Sequence, residues 1–240
     1  LSIHGGIIRG AKPDAPAEDV IRIASILGEL EPNLVLAVGG GSTIEAVKAA
    51  IAFWKLHRDF PNLEKYEGEG VISSMFAKGG KTFTPLVAIQ TSFAPSHITR
   101  FATIFLTAEK RTILLDDPIL TPSSALFDCR WTMSIAPGRI IERVIEAFSN
   151  CLETYMTYDG EYSEYIEYAC ITGMDLILES AAAALEENAE AKEAAALASD
   201  ISGIALMTAK PNGGHLSVNA IPRGMSRPLV CATLNPYYLI

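Results

Sequence analysis

Leu34-Val-Leu-Ala-Val-Gly-Gly-Gly-Ser42 constrains this chain more than any other stretch. An apolar run long enough for one buried strand stops at consecutive glycines and a serine. From Thr43 to Ile51 the apolar residues then recur at helical spacing. A strand that turns through glycines into a helix leaves its backbone N–H groups clear of Cβ atoms. The helix also points the positive end of its dipole at the same place. Such a turn suits a phosphate or a diphosphate. A glycine-rich strand-to-helix turn that binds nothing has the same local sequence, so the rest of the chain must decide between the two.

Further along, apolar runs at 34–38, 85–89, 101–106, 112–115 and 124–127 alternate with turn residues. A helix is expected over 43–53, and the polar, glycine-containing stretch 59–81 reads as one long excursion from an α/β sheet. Nothing before Leu34 reads as a strand, and residues 11–19 read as a loop and the start of a helix. After Pro137 the pattern changes. Residues 139–158, 163–187 and 189–207 carry apolar side chains three and four apart, and the alanine runs at 181–184 and 194–196 favour helix. The expected fold is an incomplete α/β nucleotide-binding domain over residues 1–135, followed by an all-α domain over 136–240.

The net charge of −9 and the lack of any Lys/Arg cluster exclude nucleic acid as an expected partner. No uncharged apolar run reaches membrane-spanning length, so no membrane partner is expected. Cys129, Cys151, Cys170 and Cys231 show no CxxC pairing, which suits reduced thiols in a cytoplasmic protein; no targeting signal is visible in the sequence, and a missing N-terminus could have carried one. Residues 228–240 are apolar, aromatic and almost uncharged. They read as a core segment cut short or as a surface that docks a second subunit, so a homo-oligomer is expected.

Four segments, taken in order, resemble the iron-containing alcohol dehydrogenase family, whose fold is of the dehydroquinate synthase type. Val38-Gly-Gly-Gly-Ser-Thr-Ile-Glu-Ala-Val-Lys48 is similar to the family's GGGSxxDxAK loop. Pro85-Leu-Val-Ala-Ile-Gln-Thr-Ser-Phe-Ala-Pro-Ser-His-Ile-Thr99 is similar to PxxxIPTTxGTGSEVT. The run from Lys110-Arg-Thr-Ile113 to Pro122-Ser-Ser-Ala-Leu-Phe-Asp128 is similar to KxxI…P…AIxDP. Val144-Ile-Glu-Ala-Phe-Ser-Asn-Cys-Leu-Glu-Thr-Tyr155 sits where the family has GxDAxxHxxExY.

The resemblance implies an NAD(P)-dependent oxidoreductase that interconverts a small alcohol and its aldehyde by hydride transfer in an interdomain cleft. It places Gly39, Gly40, Gly41 and Ser42 on the cofactor pyrophosphate. Thr91, Ser92 and Ser96 become hydrogen-bonding groups for ribose or phosphate, and Lys110 lies near the nicotinamide ribose. The choice between NAD and NADP stays open. The family's divalent-metal positions are changed: Glu146 and Asn150 stand four apart on one helix face, His215 is kept, and Arg227 replaces the last histidine, while Asn219 replaces a further histidine found near the substrate in the family.

An arginine has no lone pair to offer a metal and repels a cation. The resemblance therefore carries a degenerate metal site, with no metal residues assigned. His215, Arg227 and Glu146 become the candidate catalytic set, with Arg227 polarising a substrate carbonyl. The alternative for Arg227 is an ion pair with Glu146 that fills the vacated cavity. His97, at the family's Glu position, reads as a surface-loop histidine or a catalytic one, and Glu45 with Lys48 as an intrahelical pair or a cofactor contact. Two other functions remain open: a non-catalytic nucleotide-binding or subunit-pairing relative, and a cyclase of the dehydroquinate synthase type.

Overall fold

A computed structural model of the protein describes residues 5–158 and 160–209. Within it the chain forms two compact units. One comprises the N-terminal residues up to Ile89 together with Ser96–Leu126; the other comprises Gln90–Pro95 and the chain from Phe127 onward.

The first unit begins with α1 (Ala17–Leu30), β1 (Val35–Gly39) and α2 (Gly41–Leu56). It continues through β2 (Gly68–Glu69), α3 (Val71–Gly79), β3 (Leu86–Gln90), β4 (Phe101–Leu106), β5 (Arg111–Asp116) and β6 (Ser124–Leu126). Two three-stranded sheets form where the sequence suggested one, in the orders β1-β3-β6 and β2-β5-β4. In the first, the Val35 amide donates to the Pro85 carbonyl at 3.0 Å, and Ser123 donates to Leu86 at 2.8 Å. These bonds join the strands at their starts, so the carboxyl ends of β1 and β3, at Gly39 and Gln90, share one edge. In the second sheet β4 and β5 are an antiparallel hairpin paired from Phe101↔Asp116 to Leu106↔Arg111, and β2 runs parallel to β5.

The core follows from the side-chain periods. Ala37, Leu86 and Ala88 on one face of the first sheet meet Ile44, Val47 and Ile51 of α2, together with Ile104, Ile113 and Leu115. Val20, Ile23, Ala24 and Leu27 close this core from α1 at helical spacing, a pattern that the expectation of a loop and helix start overlooked. The opposite face leaves Leu36, Val38 and Leu126 exposed.

The polar stretch 59–81 holds more structure than its composition suggests. Its helix α3 is framed by Gly70 at φ 67° and Gly80 at φ 58°, left-handed positions that favour glycine at helix ends. Asp117, fully buried, ties this helix down by accepting from the Ser73 amide at 2.7 Å and from the Ser73 hydroxyl, while also capping Ile119 at 3.1 Å.

The second unit contains α4 (Pro137–Thr157), α5 (Ser163–Leu185) and α6 (Ala189–Ala209). Ile140, Val144 and Ala147 pack with Ile177, Ala184, Ala195, Ala198 and Phe93. Phe127 and Ile135 join the same cluster, which is why the units divide at Leu126, upstream of the change in composition. Gly173 lets α4 and α5 approach: a Cβ there would stand 2.8 Å from the Cys151 sulfur. Helix α5 is long and apolar enough to cross a membrane by length and composition alone, at a mean hydropathy of 1.3. It packs against both α4 and α6.

Candidate functional site

The glycine turn has the form its sequence requires. A Cβ on Gly39 would lie 2.8 Å from the Thr43 Cβ and 2.9 Å from its methyl, closer than side chains tolerate. Gly40 is the extended residue before α2, at φ −80° and ψ 179°, and no side chain caps the helix. Thr43 and Ile44 are the first amides to bond back, both to the Gly40 carbonyl, at 3.0 and 3.1 Å. The Gly41 and Ser42 amides at the helix start therefore have no intrahelical acceptor. Gly39 and Gly40 are only half-buried, so the turn is open to solvent. Residues 10–14 run alongside it: Gly10 packs onto Thr43, and the Asp14 amide donates to the Ser42 hydroxyl at 3.1 Å.

Lys48, two turns into α2, is fully buried, and its ammonium donates to the carbonyls of Thr99 at 2.6 Å and Phe101 at 3.0 Å. Burial pushes its pKa down to about 7, against a smaller opposing pull from Glu45. Glu45 itself accepts from the Ser96 hydroxyl at 2.6 Å and the Thr103 amide at 2.8 Å. Both side chains thus clamp the segment around the start of β4.

The second loop differs from expectation at two residues. The Ser96 hydroxyl is committed to Glu45, which draws the Pro95–His97 turn inward. His97 is buried, not a surface residue. Thr91 is half-buried. The Ser92 hydroxyl and both ends of the Gln90 carboxamide are buried, with no hydrogen-bond partner among the described residues.

Lys110 lies in the exposed turn of the β4–β5 hairpin at φ 51°, with no hydrogen bond or ion pair to the glycine turn. On α4, Arg143 donates to Glu146 at 2.8 Å, and Asn150 is buried one turn further on. His215, Asn219, Arg227 and residues 228–240 lie outside the described residues. Among the described residues no three His, Cys, Asp or Glu side chains gather as metal ligands.

The sequence model of a family described as iron-containing alcohol dehydrogenase matches residues 2–129, the stretch that contains the glycine turn, the second loop and the Lys110 hairpin. The chain belongs to that family. Among curated relatives it is 24% identical over 203 residues to an NADPH-dependent butanol dehydrogenase of Clostridium saccharobutylicum, covering 85% of this chain and 50% of that one. It is 25% identical over 203 residues to aldehyde-alcohol dehydrogenase 2 of Entamoeba histolytica, covering 82% of this chain and 23% of that one. The chain thus spans half or less of the length of these relatives. Among solved structures, the iron-containing alcohol dehydrogenase of Thermotoga maritima superposes with a TM-score of 0.78 at 19% identity, over 95% of this chain and 60% of that one. A 1,3-propanediol oxidoreductase superposes at 0.81, also at 19% identity, over 97% and 59%. These likenesses establish the fold: an α/β unit followed by a helical one.

Proposed function

We propose that this member of the iron-containing alcohol dehydrogenase family is an NAD(P)-dependent oxidoreductase that interconverts a small alcohol and its aldehyde by hydride transfer. The observation that carries the reading is the start of α2. Two amides without intrahelical acceptors face an open turn whose Gly39 admits no larger residue. That combination is built for a diphosphate. Gly39, Gly40, Gly41 and Ser42 hold it, and Thr91 and Ser92 offer hydroxyls to the ribose. When bound, the nicotinamide supplies or accepts the hydride. His215 and Arg227 are assigned to polarise the substrate carbonyl, on the chemistry of their side chains. The names of the butanol dehydrogenase and of a sulfoacetaldehyde reductase solved with NAD+, which shares this fold at a TM-score of 0.77, agree with nicotinamide cofactors in the family. The free, buried Cys151 and Cys170 suit a cytoplasmic setting.

The family's metal does not fit the donors described here. Glu146 is held by Arg143, and Asn150 offers only a weak, neutral oxygen. We infer a degenerate metal site. The same ion pair favours a second reading, a relative that binds nucleotide without turning it over.

Fluorescence titration with NADH and NADPH tests the first reading. Saturation by at least one of them below about a millimolar is expected, and no binding of either overturns it. Metal analysis of gently purified protein is expected to find iron and zinc well below one equivalent per chain. A full equivalent would restore the metal site.

A further inference from the structure

We propose that residues 9–14 form a strap beside the start of α2 that fixes the Ser42 hydroxyl as a hydrogen-bond donor to the bound diphosphate, with Arg22 as the positioning residue that holds the strap in place. The inference rests on the dinucleotide reading above and adds to it residues that lie outside the glycine turn. All of them belong to the same compact unit as that turn.

Arg22 sits in the second turn of α1. Its Nη1 donates to the Arg9 carbonyl at 3.0 Å, and its Nη2 to the Gly10 carbonyl at 2.9 Å. Nε and Nη2 also hold the Asp19 carboxylate, at 3.0 and 2.8 Å. The other oxygen of Asp19 accepts from the Lys12 amide at 2.9 Å. One ion pair thus ties the backbone of Arg9, Gly10 and Lys12 to a helix. The planar guanidinium suits this task, because its fixed fork of donors meets several acceptors at once.

The strap then reaches the helix that begins at the glycine turn. Thr43 is wedged between two glycines: a Cβ on Gly10 would stand 2.8 Å from its Oγ1, and one on Gly39 would stand 2.8 Å from its Cβ. Asp14 and Ala15 take left-handed dihedrals, at φ 65° and 48°. Such angles persist only where the surroundings hold them. The Asp14 amide donates to the Ser42 hydroxyl at 3.1 Å. A hydroxyl carries one proton and two lone pairs. With a lone pair engaged by the amide, and no acceptor for its proton among the described residues, the Ser42 hydroxyl is left as a donor. It stands at a helix start whose bare amides are donors too. Donation to an anion is roughly twice as strong as donation to a neutral acceptor. Arg9 and Lys12 against Asp14 leave the strap net positive, the sign that suits a diphosphate.

The test uses the whole chain and reads NADH and NADPH affinity beside stability in urea. Ser42→Ala is expected to weaken binding by about tenfold to a hundredfold, one hydrogen bond to a charged group. Arg22→Met and Gly10→Ala loosen the strap from opposite sides, and both residues lie outside the proposed cofactor contacts. Each is expected to weaken binding by about threefold to tenfold alone and to cost nothing further once Ser42 is alanine. That coupling is the readout a merely structural role would not move, since its loss would persist in the double variants. Losses that add, or full affinity in Ser42→Ala, overturn this inference and leave the dinucleotide reading standing. Lowered stability with unchanged affinity in Arg22→Met and Gly10→Ala makes the strap a packing element and also overturns it. Should one of these two variants not fold, the other decides. If the unaltered protein binds no dinucleotide, both readings fall together.

Discussion

Placing an aspartate at Gly40 is expected to weaken dinucleotide binding by about a hundredfold or more while leaving the melting temperature unchanged or slightly higher. The two effects separate because Gly40 occupies two roles. As the residue before α2 it has extended dihedrals, φ −80° and ψ 179°, which aspartate adopts without strain. Aspartate there caps bare amides and opposes the helix dipole, each favourable by a few tenths of a kcal/mol to about 1 kcal/mol. The same carboxylate occupies the place of the diphosphate, and like charges within about 5 Å repel by roughly 3 kcal/mol at an effective dielectric of 20. Gly39→Ala is the contrasting control. Its new methyl meets the branched carbon of Thr43 at 2.8 Å, so stability is expected to drop by about 1–3 kcal/mol along with affinity. Urea unfolding and NAD(P)H titration of both variants give the answer. If Gly40→Asp binds cofactor as well as the unaltered protein does, the turn is not where the diphosphate lies.

The parts legible in the sequence are those whose period matches their burial. The runs near 34, 85, 101, 112 and 124 all emerged as strands; β3 and β4 alternate cleanly against the core, whereas β6 is exposed throughout and takes its place by pairing with β3. The helices after Pro137 were legible for the same reason at period 3.6, with alanine propensity behind them. Helix α3 was not, since its glycine borders and its setting among charged residues look like loop; only the left-handed angles at Gly70 and Gly80 reveal them as helix ends. The splitting of the strands into two sheets was hidden too, because the partner of β5 is set by register and not by composition.

At the site, the glycine turn was readable because its chemistry lies in the backbone. Ser96 was misleading. Its hydroxyl suits a phosphate in the sequence, and only the fold brings Glu45, 51 residues away along the chain, within 2.6 Å of it. Gln90 departs from the proline of the similar family loop, but the burial of its carboxamide is a property of its surroundings and not of the sequence.

Stability is expected to rise with pH between about 7 and 10, at up to about 1.4 kcal/mol per pH unit, and Lys48→Met is expected to abolish that slope. In the folded chain Lys48 loses its proton near pH 7, because burial disfavours the ammonium. In the unfolded chain it does so near 10.4. Below pH 7 both states carry the proton, so this group adds no slope. Between the two values the unfolded state binds more protons, so raising the pH relieves the penalty of a buried charge and favours folding. Above about pH 10 the gain ends and reverses, since burial holds the Tyr66 phenol above its ordinary range and the unfolded tyrosine ionises first. Methionine fills a similar volume without a titrating group, so the comparison removes contributions that both proteins share. Its cost is two unpaired carbonyls, at Thr99 and Phe101, where the lysine amine donated. Because these carbonyls flank the start of β4, Lys48 is what fastens that strand to the helix whose first amides form the glycine turn. Urea unfolding of both proteins from pH 7 to 9.5 measures the slope, and a slope equal in the two would show that the lysine enters the fold still charged.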